Sequence, residues 1–328
     1  MARHLTAIAC DLLTGKYVFP DRAVAAADEI RRRALAGEYD GLDEAALGHR
    51  LTEHLFGLCA DKHLRVRLRE AVPTGRTGEG DPTVAWREYQ RLTGYRIARA
   101  ERLDGNVGYL DLRGVPDPAL GGRAIAAAME LVSHTDALII DLRRNRGGAP
   151  EGVAFWCSYF FPDADTHLND VFAAATGQTR QYWTLAYLPG ARYLDRPVYV
   201  LTSDHTFSAG EELAYNLQAQ RRATLIGRTT RGGAHPTEAF PITDTLEITI
   251  PTARSINPVT GTNWEGTGVT PDMDVPAEQA FAVAYETALQ HVLTTSRTAF
   301  VLDEAREALT GITRQEARTT DIPRISRL

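Results

Sequence analysis

At 328 residues the chain can bury a sizeable core and is long enough for two domains. Its 44% hydrophobic and 24% charged residues are those of an ordinary folded protein, and a net charge of −6 argues against nucleic acid or an anionic membrane as partner. No window approaches the apolar length of a membrane span, and Asp11 interrupts the N-terminal apolar stretch too early for a signal sequence, so the expected location is cytoplasmic.

In chain order, Pro20 and Asp21 offer a helix start, and Val24, Ala27, Ile30 and Ala34 recur at helical spacing. Gly37 to Gly41 breaks that pattern. Asp43 is a suitable N-cap for a second amphipathic stretch carrying Leu47, Leu51, Leu55 and Leu58. This reads as a small helical bundle ending at Asp61-Lys62-His63-Leu64-Arg65-Val66, where alternation predicts a strand. The Gly/Pro-rich run from Pro73 to Pro82 is the best domain boundary. Beyond it, Val107 to Arg113 reads as a strand, Arg123 to Ser133 as a helix, and Ala137 to Arg143 as a strand buried on both faces. The loop Arg144-Asn145-Arg146-Gly147-Gly148-Ala149-Pro150 leads into a helical stretch from Glu151 to Phe161. The alternation is repeated downstream: Pro197 to Leu201 is a strand pattern, and Leu213, Ala214 and Leu217 fall at helical spacing. This is an α/β order with βαβ crossovers. A short strand at Ala223 to Gly227, a glycine loop from Thr229 to Pro236, a hairpin arm at Leu246 to Ile250, a turn-rich loop from Asn257 to Asp272, a helix from Pro276 to Leu293 and a polar tail complete the chain.

Cys10, Cys59 and Cys157 are odd in number, widely spaced and without a CxxC pair, which disfavours disulfides and zinc; neither metal nor organic cofactor is expected. Between the second buried strand and its helix lies Thr206-Phe207-Ser208-Ala209-Gly210-Glu211. A serine there meets unpaired backbone N–H groups and the positive end of a helix dipole, which favour developing negative charge and make Ser208 a candidate nucleophile. Ser208 followed by Glu211 also fits a capping box, so this segment alone serves both readings.

Four ordered motifs together resemble the serine peptidase family of the C-terminal-processing proteases, the tricorn protease core and the interphotoreceptor retinoid-binding protein, closest to the last branch. They are the N-terminal segments Tyr17-Val18-Phe19-Pro20 and Asp61-Lys62-His63-Leu64, the loop Asp141-Leu142-Arg143 with Asn145 and Gly147-Gly148, the Ser208 turn, and Glu265-Gly266-Thr267-Gly268-Val269. The likeness spans roughly residues 17 to 290. It implies a crotonase-like α/β core of βαβ units behind an N-terminal helical domain, without a PDZ domain. The implied division is 1–73 for the helical domain, 74–298 for the core and 299–328 for a helical, polar tail.

The resemblance also assigns roles. The processing proteases place a base lysine about 25 residues past the serine; here that position is Gly233, and no lysine follows Lys62. The tricorn-like branch uses a histidine of the helical domain, and His63 matches it, with Glu265 as its acidic support. His235 is an alternative base, Asp61 an alternative support, and Lys62 a competitor for Glu265. Gly147, Gly148 and Ala209 would supply oxyanion donors. The implied function is a serine-type peptidase working through an acyl-enzyme on peptide or protein substrates. The alternatives are a non-proteolytic carrier of an apolar ligand, or a biosynthetic enzyme reusing the core. Family members assemble into homo-oligomers, and nothing in the sequence fixes a symmetry.

Overall fold

A computed structural model describes residues 1–69 and 82–320 of the chain. Most of the run read as a linker, Pro73 to Pro82, lies outside the described residues, as do the last eight residues of the tail.

Three helices open the chain: α1 (Ala2–Lys16), α2 (Pro20–Leu35) and α3 (Glu44–Cys59). The helical reading from residue 20 holds, and the chain is already helical from Ala2, because Leu5, Ala9 and Leu13 form one buried face. Pro20 sits at the start of α2 with Asp21 in its first turn, and Asp43 caps α3 by accepting from Ala46 N–H at 2.8 Å. Leu13, Ile30, Leu47, Leu51 and Leu55 bury against one another, and Ile242, Leu246, Ile248 and Ile250 complete the same core from far along the chain. That long-range packing anchors the following strand, β1 (Arg65–Leu68), and the Asp61–Leu64 turn before it.

After α4 (Pro82–Leu92) the chain builds a six-stranded sheet. Its pieces in order are β2 (Ile97–Leu103), β3 (Val107–Leu112), α5 (Pro118–Val132), β4 (Ala137–Asp141) and α6 (Pro150–Ser158). An antiparallel pair, β5 (His167–Ala173) and β6 (Gln178–Trp183), leads to β7 (Val198–Thr202), α7 (Ala209–Ala219) and β8 (Thr224–Gly227). The hairpin β9 (Thr237–Pro241) and β10 (Leu246–Pro251) follows, then β11 (Ala253–Ile256), β12 (Met273–Asp274), α8 (Ala280–Thr295) and α9 (Ala299–Thr320).

The sheet order is β12-β8-β7-β4-β3-β2, with β3, β4, β7, β8 and β12 parallel and β2 antiparallel at the edge. The fold is therefore a mixed α/β sheet, as the alternation predicted. Strands β3, β4 and β7 are buried on both faces. Leu110, Leu138, Ile140 and Val200 pack against α5, α6 and α7, while Tyr109, Ile139, Tyr199 and Leu201 pack against α8 and α9. The tail read as helical and polar thus begins as a helix, α9, that buries Val301 and Ala305 in this second layer. The loops leaving β4, β7 and β8 emerge at one edge, the carboxyl ends of parallel strands, where open α/β sheets bind ligands. β10 pairs antiparallel with both β9 and β1, with Arg65 opposite Thr249, and so carries the segment beside His63 to that edge.

Candidate active site

Ser208 has φ 56° and ψ −125°, a region that side chains other than glycine rarely occupy. Such strain costs roughly 1–3 kcal/mol and persists only where its surroundings hold it. Glu211 does much of that holding. Its fully buried carboxylate accepts from Ser208 N–H at 2.8 Å, Gly233 N–H at 2.9 Å, and Gly232 N–H and Thr230 Oγ1 at 2.5 Å each. Ser208 and Glu211 keep the capping-box arrangement, with the Glu211 carboxylate accepting from Ser208 N–H. The capping and nucleophilic readings of Ser208 that the sequence offers are both compatible with this geometry.

The loop after β4 covers this turn. Asn145, fully buried, donates to Leu112 O at 2.8 Å, accepts from Gly147 N–H at 2.9 Å through Oδ1, and accepts from Phe207 N–H at 3.0 Å through its carbonyl. Gly147 has φ 96° and lies so close that a Cβ there would come within 2.7 Å of Ser208 Cβ. Of the oxyanion donors expected from the sequence, Gly147 has its N–H engaged with Asn145 Oδ1 in this structure. Gly148 and Ala209 keep backbone N–H groups with no acceptor among the described residues.

Two histidines approach from opposite parts of the chain. His63 stacks on Phe207 with ring centroids 4.4 Å apart. A Cβ on Gly233 would overlap the Phe207 ring and lie 2.7 Å from His63 Cε1, so the imidazole and Phe207 fill the space of a side chain at 233. Burial, reinforced by the charges of Arg65, His235 and Arg231 against the opposing pull of Asp61, lowers the His63 pKa to about 4. His63 Nδ1 is buried without a hydrogen-bond partner.

His235 is the better anchored of the two. Its Nδ1 lies 2.8 Å from Asp61 Oδ2 and 3.5 Å from Glu265 Oε2. Asp61 also accepts from His63 backbone N–H at 3.0 Å and from Tyr17 OH at 3.2 Å. Burial would raise the Asp61 pKa, yet the hydrogen bond and charge of His235 and the His63 N–H carry it below the usual carboxylate value.

Glu265 does not hydrogen-bond His63. Its Oε2 accepts from Ala234 N–H at 2.5 Å, its Oε1 is buried without a partner, and burial followed by the nearby Asp61 raises its pKa. The serine–histidine–glutamate chain expected from the sequence is therefore not closed in this conformation. Lys62 does not compete for Glu265 through its ammonium, which donates to Arg231 O. Donor atoms of Asp61, His235 and Glu265 lie within 4.8 Å of one another, a spacing that admits a cation, although hydrogen bonding already accounts for the Asp61–His235 contact.

Ser208, Ala209, Gly148, His63 and His235 line one cavity of about 170 Å³, floored by Trp264 and Glu212. Among the described residues no hydrogen bond joins Ser208 to either imidazole; such bonds commonly tighten only with substrate in place. Trp264 Nε1 donates to Gly233 O at 2.9 Å and holds the 231–236 loop in position. Asn145 belongs to the glycine-loop motif of the sequence, but its structural role was not read there, and Trp264 and Glu212 were given no role in the site. Nothing local in the sequence marks Trp264 or Glu212.

The sequence profile of Peptidase family S41 matches residues 106–275, just over half of the chain. A carboxy-terminal-processing protease of Bartonella bacilliformis is 29% identical over 181 residues, 53% of this chain and 40% of that protein. The chain spans less than half the length of the curated relatives it matches. Among solved structures, mature CPAF complexed with lactacystin aligns with TM-score 0.55 and 12% identity over 92% of this chain and 99% of that one. The tricorn protease aligns with TM-score 0.52 and 12% identity over 85% of this chain and 35% of that one. At those identities the two structures speak for the fold alone.

Proposed function

The chain belongs to peptidase family S41, and from that membership we propose that it is a serine-type peptidase with Ser208 as nucleophile and His63 as base. The observation that carries the reading is the strained Ser208 at the start of α7, sharing one small cavity with His63 and two unpaired backbone N–H groups.

In this reading His63 takes the Ser208 proton as Oγ attacks the scissile carbonyl. Its lowered pKa keeps the ring neutral near pH 7, able to accept that proton and, once charged, ready to pass it to the leaving amine. Gly148 and Ala209 N–H bind the tetrahedral oxygen; losing one such donor costs about a hundred- to a thousandfold in rate. Water activated by the neutral imidazole then clears the acyl-enzyme. The proposal takes residues 1–73 as donor of the base and a crotonase-like core, 74–298, as donor of the nucleophile and oxyanion groups. Glu265 acts one step back, steadying His235 and the 231–236 loop.

One observation favours a second assignment within the same function. Asp61 orients His235 at Nδ1, as a base histidine requires, whereas His63 Nδ1 has no such partner. His63→Ala and His235→Ala decide between them, since removing the base abolishes turnover while removing a loop support lowers it partially. The function itself is tested by peptide-library cleavage with wild type and Ser208→Ala. Cleavage lost in the variant supports it; equal cleavage, or none by well-folded wild type, favours the carrier or biosynthetic alternatives.

A further inference from the structure

A second cavity, about 760 Å³, adjoins the first, and Gly148 lines both. Arg65, Arg67, Arg96 and Arg146 face it, Phe207 and the exposed Trp86 give it aromatic surface, and Asp117 is the one acid among its described lining residues. A chain with net charge −6 has thus gathered arginines beside its candidate nucleophile.

Among the described residues, most of that charge is not neutralised from within. Arg67 pairs with Glu247 at 3.0 Å. Arg65 donates to Lys62 O at 2.6 Å, and Arg96 donates to Tyr89 OH at 2.7 Å and Arg113 O at 3.0 Å, all uncharged acceptors. Among the described residues no carboxylate forms an ion pair with Arg65, Arg96, Arg146 or Arg231. Phe207 lies between two of these groups, with the Arg231 and Arg65 guanidinium carbons 5.3 and 5.8 Å from its ring centroid. Burial, with the like charges of Arg231, Arg146 and Arg67 after it, holds Arg65 below the usual arginine pKa. Guanidinium groups crowded this way repel one another until an anion arrives, and their planar forks match carboxylates.

Building on the peptidase reading, we infer that this groove is a substrate subsite and that the preferred substrates are acidic peptides, with Asp or Glu side chains flanking the scissile bond and seated against Arg65, Arg96 and Arg146. The groove and the Ser208 cavity share Gly148, so a chain lying across Gly148 reaches from one into the other.

The test uses the full chain carrying Ser208→Ala, so that binding is read without turnover. Fluorescein-labelled, C-terminally amidated peptides are compared by anisotropy, identical except for Glu or Gln at the positions flanking the cleavable bond. A Gln peptide with a free C-terminus separates side-chain from terminal carboxylate. The expected result is about tenfold tighter binding of the Glu peptide, shrinking as salt rises and falling to about twofold on adding Arg146→Gln or Arg65→Gln. Arg146 is exposed, so its substitution leaves folding intact even if that of Arg65 does not. Equal affinity for the Glu and Gln peptides overturns the inference, as do no binding of either, a preference that survives both substitutions, and an advantage confined to the free C-terminus. The two readings fail separately. Wild type that cleaves without acid preference defeats the groove and spares the peptidase, whereas acid-selective binding by a wild type that never cleaves does the reverse.

Discussion

Gly233→Ala perturbs the site by one methyl group, and the structure sets the scale of the result. Gly233 is not in the left-handed region, so an alanine there is acceptable to the backbone and the effect is steric. Its Cβ would overlap the Phe207 ring and lie 2.7 Å from His63 Cε1, where ordinary contact begins at 3.4 Å, so the two rings must shift to make room for it. Overpacking of this kind costs about 1–3 kcal/mol, which a 328-residue chain survives. Catalysis is less forgiving, since misplacing a reacting group by about 1 Å can cost a hundredfold. Gly233→Ala is therefore expected to unfold a few degrees early while kcat/KM on a cleaved peptide drops by about a hundredfold. The assay is peptide cleavage beside urea denaturation, with Gly57→Ala, which meets no atom within 4 Å, as control. A Gly233→Ala protein that is destabilised yet cleaves at the wild-type rate would refute the placement of His63 in the reaction.

Burial holds the His63 pKa near 4, so kcat/KM should stay level as pH falls through 6 and drop only near pH 4, checked by a pH–rate profile on stable protein; an acid limb at pH 6.5 would contradict the buried base. Glu212 is buried, hydrogen-bonded to Asn169 Nδ2 at 3.1 Å, and desolvation raises its pKa to about 8. Its folded pKa exceeds the ordinary 4.5, so the stability tied to its protonated form is full below about pH 4.5 and lost as pH rises toward 8, by at most about 5 kcal/mol. Glu212→Gln should therefore raise the melting temperature more at pH 8 than at pH 5, and a shift independent of pH would count against this. Asp61→Ala leaves His235 and Tyr17 without their buried acceptor; a loss of about 3–5 kcal/mol is expected from urea denaturation, and a loss under 1 kcal/mol would deny the pair its anchoring role.

Much of the frame was legible because it is local. The apolar runs at Ala137 and Pro197, the glycine loop after Asn145 and the serine before a helix each announce themselves within a few residues, and all meet at one edge of the sheet. Contacts between distant segments were not legible. Asp61 finds His235 because β1 pairs with β10, which in turn pairs with β9 at the end of the 231–236 loop, a register that no spacing in the sequence encodes. The Gly147 N–H was counted as an oxyanion donor because a Gly-Gly pair shows that the backbone can come close; it does not show that Asn145 folds back to occupy one of the two. The strain at Ser208 was hidden for a similar reason, since a serine ahead of Glu211 looks like an ordinary cap until φ is known. Position 233 is the instructive case. Its missing side chain read only as an absent lysine, whereas in the fold that vacated space holds the ring of His63.

The most direct measurement is covalent labelling with a fluorophosphonate, with the modified residue located by mass spectrometry. The account predicts rapid modification at Ser208, none in Ser208→Ala, and a rate about a hundredfold slower in His63→Ala protein that remains folded. Modification at another residue, or an undiminished rate at Ser208 without His63, would contradict it.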